Sequence, residues 1–248
     1  MRGPARPARD VGWAFLFALR RESAPFARRL RLLRRFADAP CPARLYATRR
    51  DWVLVLETGV GAARAAAAAR WVLDSLTPRL VVAAGFAGAL DPALTVGDTV
   101  LASEVAEPGE LRWRVALPLE LSDLPCGRLL TVSRLVATSE QKRALARQFG
   151  ALAVDMESAA VAEVCQERRV PCAVARAISD AADAGLSPEL VALLAGGRVA
   201  PRRVLAALVR RPRLAGELWR LARDTRRAAR RLADALIRLL GSRRIADA

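Results

Sequence analysis

Four short clusters hold residue types that can bind or cleave a small polar molecule. The first, Thr58-Gly59-Val60-Gly61, follows an apolar run, and backbone N–H groups at a helix start attract phosphate or ribose oxygens. It has neither the GxGxxG of a dinucleotide site nor the lysine of a P-loop. The second, Gly85-Phe86-Ala87-Gly88, follows Leu80–Ala84, so it is expected at the carboxyl end of a strand, where α/β sheets bind ligands. A tight packing turn would look the same. The third, Val154-Asp155-Met156-Glu157-Ser158-Ala159-Ala160, places two carboxylates and a thioether at a strand-to-helix junction. Its acids could equally serve the helix N-terminus. The fourth, Arg176-Ala177-Ile178-Ser179-Asp180, is an apolar strand ending in an acid, where Ser179 or Asp180 could be a helix cap. Acids at two strand ends and glycines at two others converge on one edge of one sheet.

Short apolar runs alternating with helical patterns must position these clusters, and that alternation marks an α/β domain. Strands are expected at Val11–Leu19, Trp52–Glu57, Leu80–Ala84, Thr99–Val105, Leu129–Ser133, Ala151–Val154 and Cys172–Ile178. Helices are expected at Glu22–Phe36, Ala62–Leu73, Ser139–Phe149 and Ser158–Arg168. Gly196-Gly197 reads as a break, giving a catalytic domain over 11–195 and a basic helical tail over 198–248.

Charge sharpens that division. The 248 residues carry +16, and Lys142 is the sole lysine. Between Arg198 and Arg244 there are 15 arginines against Glu217, Asp224 and Asp234, a net of +12. Within the tail, Leu218, Leu221, Thr225, Ala228, Leu232, Ala235 and Leu239 form a mostly apolar stripe. That stripe could pack on the protein's own body, on a second subunit, or on an anionic membrane surface. A single tail aromatic, Trp219, argues against nucleic acid.

There is no histidine, which removes HExxH and Cys₂His₂ zinc sites and every His-dependent triad. Proton transfer therefore falls to carboxylates and their partners. The cysteines Cys41, Cys126, Cys165 and Cys172 show no CxxC pairing and read as reduced structural thiols in a cytoplasm. The run Val11–Leu19 is closed by Arg20, Arg21 and Glu22, which argues against a cleaved leader, and it is too short to span a bilayer.

Taken in order, Thr58–Gly61, Ala84–Gly88, Val154–Ala159 and Arg176–Asp180 resemble the nucleoside phosphorylase/nucleosidase superfamily, which includes the methylthioadenosine/S-adenosylhomocysteine nucleosidases. The resemblance covers roughly residues 11–185. It implies a three-layer α/β/α fold around a mixed, barrel-like sheet, a nucleoside substrate, no cofactor unless phosphate is the co-substrate, and a homodimer or larger oligomer. It also implies roles. Asp180 is the acid that protonates the departing purine, with Ser179 beside it. Glu157 holds the ribose hydroxyls, with Met156 on the sugar face. Gly85, Phe86 and Ala87 line the substrate site, and Ala137 and Thr138 fall where the base-binding loop lies. Ala18-Leu19-Arg20-Arg21-Glu22 resembles the segment that ends in the water-activating glutamate, which nominates Glu22 as general base.

Breaking an N-ribosidic bond builds negative charge on the base and positive charge on the sugar, so a proton donor and an anion are both required. On this reading Asp180 keeps its proton through apolar burial. The phosphorolytic relatives carry an arginine before the second-motif glycine and a serine or threonine after it; Ala83, Ala84 and Phe86 stand here, which favours water as nucleophile. Gly85–Pro92 and the arginine-rich tail look more like the hopanoid-associated branch, which implies adenosylhopane as substrate. A non-catalytic nucleoside- or RNA-binding protein is the competing class.

Overall fold

The computed structural model describes residues 10–49, 51–109, 112–118, 121–185, 187 and 214–241. The break at Gly196-Gly197 and the first part of the basic tail lie outside the described residues. Ten strands form one mixed sheet. In chain order they are β1 (Asp10–Phe17), β2 (Arg31–Phe36), β3 (Ala43–Ala47), β4 (Trp52–Glu57), β5 (Thr77–Ala89), β6 (Thr99–Ala106), β7 (Arg112–Arg114), β8 (Cys126–Thr131), β9 (Ala153–Asp155) and β10 (Cys172–Asp180). The helices are α1 (Arg20–Ala27), α2 (Ala62–Ser75), α3 (Ser139–Phe149), α4 (Ser158–Glu167) and α5 (Leu214–Leu240).

The long strand β5 organises the sheet. Its first part pairs with β1, its end pairs with β9, and β10 runs parallel along its other side. Because β10, β6, β8 and β9 are themselves joined in series, the sheet curls into a closed, barrel-like ring through β5. The α2 and α4 helices cover one face, where Ala65, Ala68, Ala69 and Val72 meet Ala159, Val161 and Val164. The alanines of α2 combine high helix propensity with close approach to the strands. The α1 and α5 helices cover the opposite face, so the fold has three layers.

Two sequence expectations change, and a third is decided in favour of its first alternative, packing on the protein's own body. The helix starting near Glu22 ends at Ala27, and Arg31–Phe36 is an edge strand paired antiparallel with β3, a strand not expected from the sequence. Leucines and arginines suit either structure, and tertiary pairing with Ala43–Ala47 decides. The Gly85–Gly88 cluster is not a turn after a strand; it lies inside β5, which continues to Ala89. Finally, the apolar stripe of α5 is packed inside the protein: Thr225, Ala228, Leu232, Ala235 and Leu239 are buried and join the core formed by β1, β4 and β10. That helix is tied down further by Arg29–Asp234 (2.7 Å) and Arg238–Asp123 (2.5 Å). No helix among the described residues is long and apolar enough to cross a membrane.

Candidate active site

Sheet register brings the motifs together at the end of β5. Asp180 pairs with Gly88 on one side of that strand, and Val154 pairs with Gly88 on the other. One strand further on, Thr131 stands beside Asp155. Each cluster is therefore set by backbone hydrogen bonding before any side-chain contact forms.

Glu22 is at the third position of α1, and its Oε2 accepts a hydrogen bond from the Leu19 N–H (2.8 Å), the reach-back of a capping box. Its Oε1 accepts from the Phe86 N–H (3.1 Å). The carboxyl is 3% exposed, and burial pushes its pKa up from 4.5 to about 7 against the opposing pull of the Arg176 guanidinium and the two N–H donors. Glu157 adds a smaller upward push. Gly85 makes this approach possible: a Cβ there would overlap Arg176 Nη1 and lie 3.2 Å from Glu22 Oε1. The glycine is required for close approach, since its φ is unremarkable for a strand.

Glu157 opens α4, and its Oε1 accepts from the Gly61 N–H at 2.8 Å. Gly59 and Gly61 both have positive φ, so the Thr58–Gly61 turn aims its N–H inward. The anion met by this helix start is the protein's own Glu157, an alternative to the expected phosphate. Burial raises the Glu157 pKa, Arg176 opposes the rise and Asp155 adds to it. Met156 is half-buried between these two acids.

Beneath the carboxylates lies a buried polar network that the sequence reading left without a role. Arg176 Nη2 is 2.5 Å from Asp155 Oδ2, with both side chains almost fully buried. Arg176 also donates to Ser158 Oγ (2.8 Å), Ser158 donates to Asp155 Oδ2 (2.5 Å), and Thr131 donates to Asp155 Oδ1 (2.6 Å). A charged residue in the middle of an apolar strand must be paired, so Arg176 within Cys172–Ile178 was a usable signal.

Asp180 departs from expectation. Its side chain is 28% exposed, and Lys142 Nζ lies against Oδ2 as an ion pair, so apolar burial is not what conditions this acid. The Ser179 hydroxyl donates to Asp180 Oδ1 (2.7 Å) and lies 3.3 Å from the Ala87 carbonyl. Ala137 and Thr138 also differ: their N–H groups both donate to Gln141 Oε1 (3.0 and 3.3 Å), and Thr138 Oγ1 caps α3 by accepting from the Gln141 N–H (3.2 Å). Those donors are spent on the helix start, so this pair is a cap and not a free base-binding edge.

Glu22 and Arg176 are anchored at Gly85, and Ser179 and Asp180 at Ala87–Gly88. At about 3.3 Å per residue, Gly85 and Gly88 are separated by about 10 Å along β5. A cavity of 810 Å³ next to the Thr58–Val60 turn is lined by Leu19, Pro40, Pro42 and Val60, with Arg20, Glu57 and Arg64 among its polar walls.

Comparison with known proteins places this architecture. The sequence matches the family model of the phosphorylase superfamily over residues 29–118 and 115–210. It is similar to the 5′-methylthioadenosine/S-adenosylhomocysteine nucleosidase of Staphylococcus haemolyticus, 28% identical over 158 residues, covering 53% of this chain and 69% of that protein. A nucleosidase of the same name from Staphylococcus aureus is 26% identical over 184 residues, covering 63% and 81%. In structure it resembles the Helicobacter pylori 5′-methylthioadenosine/S-adenosylhomocysteine nucleosidase, with a TM-score of 0.73 and 18% identity over 93% of this chain and 98% of that one. Futalosine hydrolase of Helicobacter pylori superposes equally well, at 0.73 and 18%, over 93% and 97%. The closed sheet around β5, the three layers and a family match spanning most of the described strands lead to one conclusion: this chain belongs to the phosphorylase superfamily.

Proposed function

We propose that the protein is an adenine-nucleoside N-ribosyl hydrolase acting on a 5′-substituted adenosine. The observation that carries this reading is the charge balance around Glu22. Among the described residues, the guanidinium that acts on Glu22 is that of Arg176, which is already paired with Asp155 and also acts on Glu157. That pairing leaves Arg176 little charge to offer a phosphate dianion, whereas a carboxyl poised near neutral pH suits proton abstraction from water. Ala84 and Phe86, flanking Gly85, add no phosphate ligand.

In the proposed reaction a water proton passes to Glu22 as the water oxygen bonds to C1′. The C1′–N bond breaks, and the Asp180 proton goes to the leaving base. Glu157 accepts from the ribose hydroxyls and favours the cationic sugar, with Met156 against the ring. Both carboxyls regain their starting states by exchange with solvent. The relatives' names support a 5′-thio substituent. Incubation with adenosine, methylthioadenosine, S-adenosylhomocysteine, futalosine and adenosylhopane is expected to release base at the same rate with and without phosphate. Formation of a ribose 1-phosphate product would overturn hydrolysis, and the preferred nucleoside identifies the substituent.

A peripheral contact with anionic membranes belongs to the same proposal in a narrower form. The apolar stripe of α5 is used internally, so among the described residues such a surface would be met by exposed arginines of this helix, Arg220, Arg223, Arg226, Arg227, Arg230 and Arg231, with the exposed Trp219. Attraction of this kind is electrostatic and falls with salt. Binding to vesicles of anionic lipid is expected at low ionic strength and is expected to weaken in Arg226→Gln/Arg230→Gln/Arg231→Gln; equal binding to zwitterionic vesicles would exclude it. Deleting α5 is not a usable test, because Leu232 and Leu236 fill the core.

A further inference from the structure

Lys142 is the only lysine in a chain whose other basic side chains are all arginine, and it is 1% exposed. It reaches from the first turn of α3 to the end of β10, where its Nζ meets three oxygens: Asp180 Oδ2, the Ala181 carbonyl at 2.7 Å and the Ala184 carbonyl at 3.1 Å. Three acceptors match the three N–H bonds of an ammonium, so no donor is wasted in a buried place. A guanidinium, planar and longer, could not satisfy this compact set. Elsewhere the chain uses arginine for its cations, and here the geometry calls for a point charge.

We propose that Lys142 is the positioning residue of Asp180, fixing the orientation in which its carboxyl delivers a proton. This rests on the reading of Asp180 as the acid that protonates the leaving base. With Oδ2 held by Lys142 and Oδ1 receiving the Ser179 hydroxyl, the carboxyl cannot rotate, and the turn from Ala181 to Ala184 that carries it is tied to α3. Gly88 leaves the space: a Cβ there would stand 3.0 Å from Asp180 Oδ2 and 3.6 Å from Lys142 Cε. The groups facing Asp180 are thus Lys142 from α3, Ser179 from β10 and the bare backbone of β5. Among the described residues no second ion pair reaches it. Lys142 therefore holds the Asp180 carboxyl in one orientation, from which its proton is delivered in one direction.

The test is a set of substitutions read by base release. Lys142→Met keeps the stem and removes the charge. It is expected to lower kcat by about tenfold or more with KM changed less than about threefold, as loss of acid orientation would. Because Lys142 would act only through Asp180, the double variant with Asp180→Asn should be no slower than Asp180→Asn alone. A kcat unchanged from wild type, with only the melting temperature lowered, would reduce Lys142 to a structural tie and overturn the proposal. A second measurement needs no variant of Lys142. A lysine-specific ¹⁵N label gives a single side-chain signal, expected to shift in Asp180→Asn and on adenine binding; a signal indifferent to both also overturns it. If Asp180→Asn is fully active, the reading of Asp180 has failed; if Asp180→Asn is slow while Lys142→Met is not, Lys142 alone has been misassigned.

Discussion

Asp180→Asn is expected to slow base release by about 10²–10⁴-fold, the usual contribution of a positioned general acid, with little change in KM. Asparagine keeps the volume, so Gly88 still accommodates it, and its amide oxygen can still accept from Lys142 or Ser179. What is lost is the transferable proton. The negative charge that develops on the base then has no partner within reach, because among the described residues Lys142 is committed to Asp180 and two carbonyls. Single-turnover measurement of free base separates this from slow product release. A variant that keeps more than about a tenth of the wild-type rate would place the donor elsewhere and would return the non-catalytic binding reading to consideration.

Glu22→Gln is expected to have a comparable effect on turnover and a second, separable effect on stability. A general base must be ionised, so wild-type kcat/KM should rise as pH passes through about 7, the value to which burial pushes Glu22. Glutamine removes that rising limb along with most of the rate. For stability the sign is opposite. The native Glu22 pKa of about 7 lies above the ordinary 4.5, so folding favours the protonated form. Its contribution is fully present below about pH 4.5 and is lost as pH rises through 7. A difference of this size corresponds to about 3 kcal/mol. Glutamine cannot ionise, so the variant should gain on wild type between pH 5 and pH 8, seen as a rising difference in urea midpoints. A difference that stays flat across that range would show that Glu22 titrates normally, and the assignment of the base would fall with it.

Local sequence carried much of the site because each motif needs a particular residue type at a strand end. Strand-to-helix junctions at Val154–Ser158 and the apolar run ending in Ser179-Asp180 are visible from periodicity alone, and their order matches the family pattern. The helix Ser139–Phe149 was legible to the residue, since its Thr138–Gln141 capping box and the left-handed Gly150 are local signals. The resemblance was less informative at the same residue. Thr138 stands where a base-binding loop was expected, and nothing short of the hydrogen bonds to Gln141 shows that it is occupied.

Other features depended on partners far away in the chain. Arg31–Phe36 became a strand only through Ala43–Ala47, and the second glycine cluster remained within a strand because β10 and β9 pair on either side of Gly88. The anchoring of Glu22 by Phe86 spans 64 residues, and that of Glu157 by Gly61 spans 96. Arg176 was readable as a cation needing a partner, but Asp155 could not be singled out from Glu157 until β8, β9 and β10 were aligned.

By itself the sequence determined the α/β class and the family, and the absence of histidine restricted any proton transfer to carboxylates and their partners. Residue type, order and short-range period carry that much directly. Only the tertiary structure decided that burial lifts Glu22 to about 7, that Asp180 is partly exposed and paired with Lys142, and that the α5 stripe belongs to the core. Burial and charge pairing are properties of what surrounds a group, and the surroundings here are assembled from strands distant in sequence.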